Sequence, residues 1–156
     1  MASLSLRPAE ADDCLLVWQL RNDAAARAAS NNAEPIPFEV HQRWWQTRLG
    51  DPSSVIYIVS PPGGPPAGYV RFAVEDSEAE ISIALEAGAR GRGYGSAAIR
   101  LGSEALLNEG HARRIVALVK PDNETSLRAF RQAGFLERGR SAASDAEMIE
   151  LVLEAA

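Results

Sequence analysis

The residues best suited to bind a charged ligand gather in one stretch, Glu86-Ala87-Gly88-Ala89-Arg90-Gly91-Arg92-Gly93-Tyr94-Gly95-Ser96. Three alternate glycines, Gly91, Gly93 and Gly95, let a backbone turn sharply and bring its N–H groups against another molecule. Residues 95–108 then carry a helical pattern, and a helix N-terminus adds unpaired donors and the positive end of its dipole. Across residues 86–100, Arg90, Arg92 and Arg100 stand against Glu86 alone, a local net charge of +2 in an acidic chain. Free amides flanked by guanidinium groups suit a pyrophosphate. The bland alternative is a solvated strand-to-helix turn. Two nucleotide motifs are excluded. The stretch ends Gly-Ser-Ala where a P-loop needs Gly-Lys-Ser/Thr, and Arg113 and Arg114 lie where a dinucleotide fingerprint needs an acid.

The elements that must hold this loop can be read on either side of it. Ser3–Arg7 alternates and stops at Pro8, as a strand does. Cys14–Asn22 has apolar residues four apart and predicts a helix. Ala24–Pro37 reads as a short helical turn and then a loop. Phe38–Leu49 is a second helix, stopped by Gly50 and Pro52. Ser54–Ser60 is an apolar strand, Pro61–Pro66 a long hairpin connection, and Ala67–Glu75 and Ala79–Leu85 are strands about a turn at Asp76-Ser77. After the helix at 95–108 come a buried-type strand (Arg114–Lys120), a helix (Glu124–Ala133) closed by Gly134, and strands near Phe135–Glu137 and Glu147–Leu153. The last is apolar on both sides, which marks a strand covered on both faces or one at a subunit contact in a homodimer. The order β-α-α-β-β-β-α-β-α-β-β, without internal repeat, predicts a single α/β (α+β) domain over 1–156.

Composition narrows the classes. In 156 residues, 46% are hydrophobic and 24% charged, as in a soluble globular domain. The net charge of −5 argues against a nucleic-acid or anionic-membrane binder. One cysteine excludes a disulfide framework and a cysteine zinc cluster, and no metal site is expected. No run of 18 apolar residues is present, and the first residues lack a signal-peptide pattern, so the expected location is the cytoplasm.

Arg90-Gly91-Arg92-Gly93-Tyr94-Gly95 resembles the Arg/Gln-x-x-Gly-x-Gly/Ala signature of the GCN5-related N-acetyltransferase superfamily. Asn123, Ser126, Phe130 and Gly134-Phe135 resemble its downstream Asn-x-x-Ala/Ser…Gly-Phe segment, and the element order agrees over nearly the whole chain. The resemblance implies acetyl-CoA as donor and a mixed, mostly antiparallel sheet flanked by helices. Its pyrophosphate is expected on the amides of Arg90, Gly91, Arg92, Gly93, Tyr94, Gly95 and Ser96. Its pantetheine is expected along the strand end at Ile83-Ala84-Leu85, with Asn123, Ser126 and Phe130 beside it. Trp18, Arg21-Asn22, Arg27, Ser30, Ile36, His41 and Trp44 resemble the subgroup that acetylates nucleotide-linked amino sugars, as in pseudaminic acid synthesis. That resemblance implies an acceptor site holding Arg21, Asn22, Arg27, His41 and Trp44.

Acetyl transfer to an amine needs a proton acceptor, a donor to the oxyanion and a proton for the leaving thiolate. The superfamily resemblance places the oxyanion donor at a strand N–H near Ile83–Leu85. Glu80, at the start of that strand, reads as the base or as a solvated strand-end carboxylate. His41 is the other candidate, as a neutral imidazole or merely a capped helix residue. The superfamily often has Tyr seven residues after its motif Asn, where this chain has Phe130, so a phenyl ring leaves the thiolate without that proton donor. Ser126, Tyr94 and Tyr69 carry hydroxyls that could replace it, none of them placed by a motif. Of Trp44 and Trp45 one is expected in the core; the other covers a helix flank or offers a platform to a sugar or uracil ring. Direct transfer is expected over a covalent acetyl-enzyme, since Cys14, read as a small core residue, lies far from the motifs. Acetylation of a protein N-terminus or another metabolite amine, and a CoA-binding module without catalysis, stay open.

Overall fold

The computed structural model describes residues 4–29, 34–143 and 146–155. Among these residues the strands are β1 (Ser5–Pro8), β2 (Ser54–Ser60), β3 (Gly68–Glu75), β4 (Glu78–Leu85), β5 (Arg114–Val119), β6 (Leu136–Ala143) and β7 (Ala146–Glu154). They form one sheet in the order β1-β2-β3-β4-β5-β7-β6, antiparallel everywhere except between β4 and β5. The helices are α1 (Cys14–Asn22), α2 (Ala24–Ala29), α3 (Phe38–Leu49), α4 (Tyr94–Asn108) and α5 (Glu124–Gln132). The mixed α/β architecture is the expected one. Two elements outgrow their expectation: the turn after Asn22 is a true short helix, and β6 runs on to Ala143 because it pairs with β7 along its length.

Period-two alternation divides the side chains between two faces. On one face Tyr57, Val59, Val70, Phe72, Ile81 and their neighbours pack under α4 and α5. On the other, Ile56, Ile58 and Tyr69 pack with Val17, Leu20 and Trp45 from α1 and α3. Buried Asp13 fixes the entry to α1. It takes a two-pronged ion pair from Arg7 at 2.8 Å per contact and a bond from the Glu10 N–H, which anchors the helix to β1.

β3 and β4 form a tight hairpin with unbroken register from Gly68↔Leu85 to Glu75↔Glu78. Its two-residue turn holds Asp76 and Ser77 at φ of +52° and +66°, the mirror-image turn that matches strand twist. β4 and β5 behave differently. They pair over three residues only, Glu78–Glu80 with Arg114–Val116, and then part, although β5 stays paired with β7 to Val119. Arg114 closes the joined end with ion pairs to Glu78 and Glu154. At the other end Lys120 donates to the Ala28 carbonyl of α2 at 2.8 Å, so β5 is tied to the helical layer there. The sheet therefore has a wedge-shaped opening in its middle.

The β3–β4 closure beside this wedge depends on Gly68. A Cβ there would meet the Leu85 side chain at 2.5 Å and the Ala84 carbonyl oxygen at 2.7 Å. Gly68→Ala should therefore lower stability by about 1–3 kcal/mol in urea unfolding, as overpacking does. An unchanged midpoint would contradict so close an approach.

Candidate active site

The loop from Glu86 to Gly93 turns from β4 into α4. Gly91 and Gly93 sit at φ of +76° and +80°, where L side chains are strained, and open space lies where their Cβ atoms would be. The N–H groups of residues 91–96 make no hydrogen bond among the described residues; the first inside the helix is Ala97 N–H to the Gly93 carbonyl. Six consecutive free donors at the head of a 15-residue helix form an anion cradle. The Arg92 side chain is exposed beside it. Arg90 is committed elsewhere: its Nε donates to the Leu85 carbonyl at 3.1 Å and its Nη2 to Asp23 at 2.9 Å. It clamps the loop to the α1–α2 junction and is not free to flank a phosphate, contrary to expectation.

A cavity of about 360 Å³ fills the wedge. It is lined from both faces of β4, by Glu80, Ser82 and Ala84 on the α1–α3 side and Ile81 and Ile83 on the α4–α5 side. The hydrogen bond from Glu86 N–H to the Ala67 carbonyl sets the phase of the hairpin. Even-numbered β4 residues bond to β3, and odd-numbered ones turn their N–H and C=O groups toward the opening. Past the last pairing with β5, Ile83 thus presents an unpaired donor and acceptor to the cavity, while the Leu85 carbonyl takes Arg90. The far wall includes Leu118, Asn123 and Phe130. Asn123 Oδ1 accepts from Ser126 N–H at 3.2 Å and caps α5, which leaves its amide NH2 for the cavity. Phe130 is buried edge-on against Phe135 and brings no hydroxyl.

The wall opposite comes from Arg21 of α1, Ala26 of α2, Glu34 and Ile36, and Tyr69 and Arg71 of β3. His41 is fully buried (0% exposed) and does not reach the cavity. Its ring sits 2.9 Å from both the Cys14 carbonyl and the Arg21 guanidinium. The carbonyl can only accept and the guanidinium can only donate. Nε2 must therefore carry the proton, and Nδ1 accepts from Arg21. No ring nitrogen is left for a substrate, so His41 is a positioning residue for Arg21 and not a base. Arg21 lies 4.0 Å over the Trp44 ring, and Arg71 from β3 lies 5.3 Å from the same ring. Trp44 is covered by cations instead of offering an open platform, and Trp45, 2% exposed, is the core tryptophan. Asn22 clamps the backbone of Ile36 from both sides, Nδ2 to its carbonyl at 2.9 Å and Oδ1 from its N–H at 2.7 Å. Trp18 donates to the same carbonyl. Asn22 therefore shapes the cavity rim and does not face a ligand. Arg27 Nε donates to the Asn22 carbonyl, and Ser30 lies outside the described residues.

Comparison with known proteins decides the family. Residues 3–136 match the family model of the acetyltransferase (GNAT) domain. The chain belongs to the GNAT acetyltransferases. It is accordingly an acetyl-CoA-dependent N-acetyltransferase by family. YwnH of Bacillus subtilis (strain 168), provisionally named a phosphinothricin acetyltransferase, is 27% identical over 143 residues, covering 87% of this chain and 86% of its own. Among solved structures, an aminoglycoside acetyltransferase AAC(6')-Ib in complex with coenzyme A superposes with a TM-score of 0.83 at 21% identity, over 97% of this chain and 95% of that one. The spermidine N-acetyltransferase of Vibrio cholerae, in complex with CoA and spermine, gives 0.83 at 18% identity over 98% and 96%.

The free amides of residues 91–96 begin within the Arg90–Gly95 stretch and end at Ser96. Tyr69 lines the cavity from the α1–α3 face of the sheet, and Phe130 lines it from the α4–α5 face. Two charged cavity residues escaped the sequence reading, Glu34 and Arg71. For Arg71 the signal was there: in Gly68–Glu75 an arginine interrupts an otherwise apolar strand, two residues after Tyr69 on the same face. Among the described residues no group of three His, Cys, Asp or Glu side chains is placed to hold a metal. No helix there is long and apolar enough to cross a membrane.

Burial is the main influence lowering the pKa of His41 below 6.5; the Cys14 bond opposes this and the Arg21 charge adds to it. The unfolded chain takes up the proton near pH 6.5 while the folded chain stays neutral. Stability is therefore full above that pH and falls as pH drops through the window below it. The melting temperature should decline between pH 7.5 and 5.5, and His41→Gln should flatten that decline. Equal slopes in both proteins would contradict the assignment.

Proposed function

We propose that residues 1–156 form one N-acetyltransferase domain that transfers acetyl directly from acetyl-CoA to the primary amine of a small molecule, in the cytoplasm. The reading rests on one observation: β4 parts from β5 and leaves the Ile83 N–H free at a cavity that Glu80 also lines, and the loop that directly follows β4 carries the free amides 91–96. The cradle takes the pyrophosphate, helped by Arg92. The pantetheine extends along the open edge of β4 as an added strand, between Ile83 and the Asn123–Ser126–Phe130 wall. At the thioester, the amine nitrogen attacks the carbonyl carbon. The C–N bond forms, the Ile83 N–H donates to the oxyanion, and the C–S bond breaks. The surplus amine proton passes to the Glu80 carboxylate, directly or through a water. The thiolate takes its proton from solvent, since Phe130 has none to give.

Two acceptor types come first. A nucleotide-linked amino sugar is supported by Arg21, which the subgroup resemblance singled out and which lines the cavity. Phosphinothricin, an amino acid with a phosphinate group, is supported by the name of the Bacillus relative.

Release of CoA thiol on mixing the protein, acetyl-CoA and a panel of amines tests the activity. Glu80→Gln should lower kcat by about 10²-fold, in the range for loss of a general base, and an unchanged kcat would assign the base elsewhere. Gly93→Val places a β-branched side chain at φ +80° and in the path of the phosphates. It should abolish thermal stabilisation by CoA while a folded circular dichroism spectrum persists; retained stabilisation would remove the cradle from the account.

A further inference from the structure

Among the described residues seven arginines are seen in ion pairs, and most of the others lie exposed in water. Arg21 and Arg71 differ from both groups. They are partly buried, line the cavity together and share one indole ring, and among the described residues neither meets a carboxylate in an ion pair. The phenol of Tyr69 lines the same cavity and makes no hydrogen bond among the described residues. Arg21 has the neutral His41 ring as its partner, and two like charges and a hydroxyl at a cavity without a counter-ion in contact are costly unless something else satisfies them. The cost is visible in Arg21, whose pKa burial pushes down, with Arg71 pushing the same way. The placement is also fixed. His41 holds Arg21 from behind at 2.9 Å, and Trp44 backs both guanidinium groups.

We propose that Arg21 and Arg71, seated on Trp44 with the Tyr69 hydroxyl beside them, form an anion subsite that selects acceptor amines carrying a phosphate, phosphinate or carboxylate group. This rests on the reading of the cavity as the acceptor site. The register supplies the geometry. Arg71 faces Ser82 across the hairpin, and Glu80 lies one pleat further on the same face. Positions so related are diagonal neighbours about 7–8 Å apart. A molecule with its anion on the arginines can therefore place its amine toward Glu80, the one end attracting and the other accepting the proton. Glu34 and Glu80 line the same cavity, so the arginines discriminate by position: an acceptor with an anion meets them, and a polyamine brings no group that does.

The test uses the full chain and two readouts. CoA release is measured with UDP-linked glucosamine and L-phosphinothricin as anionic amines, and with glucosamine and spermidine as controls. Calorimetry measures binding of the same four compounds to the CoA-loaded protein. At least one anionic amine should exceed both controls about 10-fold or more in kcat/KM, the worth of one charge-assisted contact. Which one does so tells a diphosphate from an amino-acid anion. Arg71→Gln should raise KM for that acceptor about 10-fold or more and leave KM for acetyl-CoA unchanged, with Arg71→Lys recovering part of the loss. CoA-induced thermal stabilisation of both variants confirms that they fold. Preference for glucosamine or spermidine, an equal loss for every acceptor in Arg71→Gln, or no binding of either anionic amine would overturn the subsite. Binding of an anionic amine without CoA release would leave the subsite standing and overturn the transferase reading instead.

Discussion

The rest of this structure depends on a sheet left unzipped in its middle. Backbone N–H and C=O groups inside a protein are almost always paired, and the interior of a sheet is where pairing is most complete. Here β4 and β5 part after three residues, and Ile83 is left with both polar groups facing a cavity. The neighbouring loop adds six more unpaired amides at the head of α4. Such an arrangement persists because rigid elements hold it from outside. The β3–β4 hairpin is in unbroken register, β5 is held by β7 along its length, and Lys120 ties the diverging end of β5 to α2. In the proposed complex the diphosphate and amide-bearing arm of CoA satisfy these groups in the way a missing strand would.

The two faces of the sheet divide the work. The α4–α5 face carries the larger core and the cradle, and the α1–α3 face carries the smaller core and the charged wall. The wedge is where they communicate, and β4 contributes to both sides through simple alternation: Glu80 and Ser82 toward one, Ile81 and Ile83 toward the other. The Arg90–Asp23 pair joins the cradle loop to the α1–α2 junction over 67 residues of sequence. That contact is half-exposed and adds little stability by itself, but it fixes the loop relative to the acceptor wall.

Much of this was legible in the sequence, for identifiable reasons. Strands 54–60, 67–75, 79–85 and 114–120 announce themselves by β-branched runs between proline and glycine breaks, and the glycine triplet marks a backbone made for close approach. What the sequence does not show is which polar group another group uses up. Arg90 looks like a phosphate ligand until Asp23 and the Leu85 carbonyl claim it. Asn22 looks like a substrate ligand until both ends of its amide close on Ile36. His41 looks like a base until its two nitrogens find Cys14 and Arg21, 27 and 20 residues away. Each outcome depends on a long-range contact that spacing along one element cannot reveal. Arg71 is the reverse case. An arginine in an apolar strand was visible, and its meaning emerged only when α1 and α3 brought Arg21 and Trp44 beside it.

Backbone amide mapping during a CoA titration tests the open sheet most directly. In a nitrogen-15 correlation spectrum the account predicts that the amides of residues 91–96 and of Ile83 shift together with saturation at one ligand per chain. Shifts clustered elsewhere, with these resonances unmoved, would contradict it.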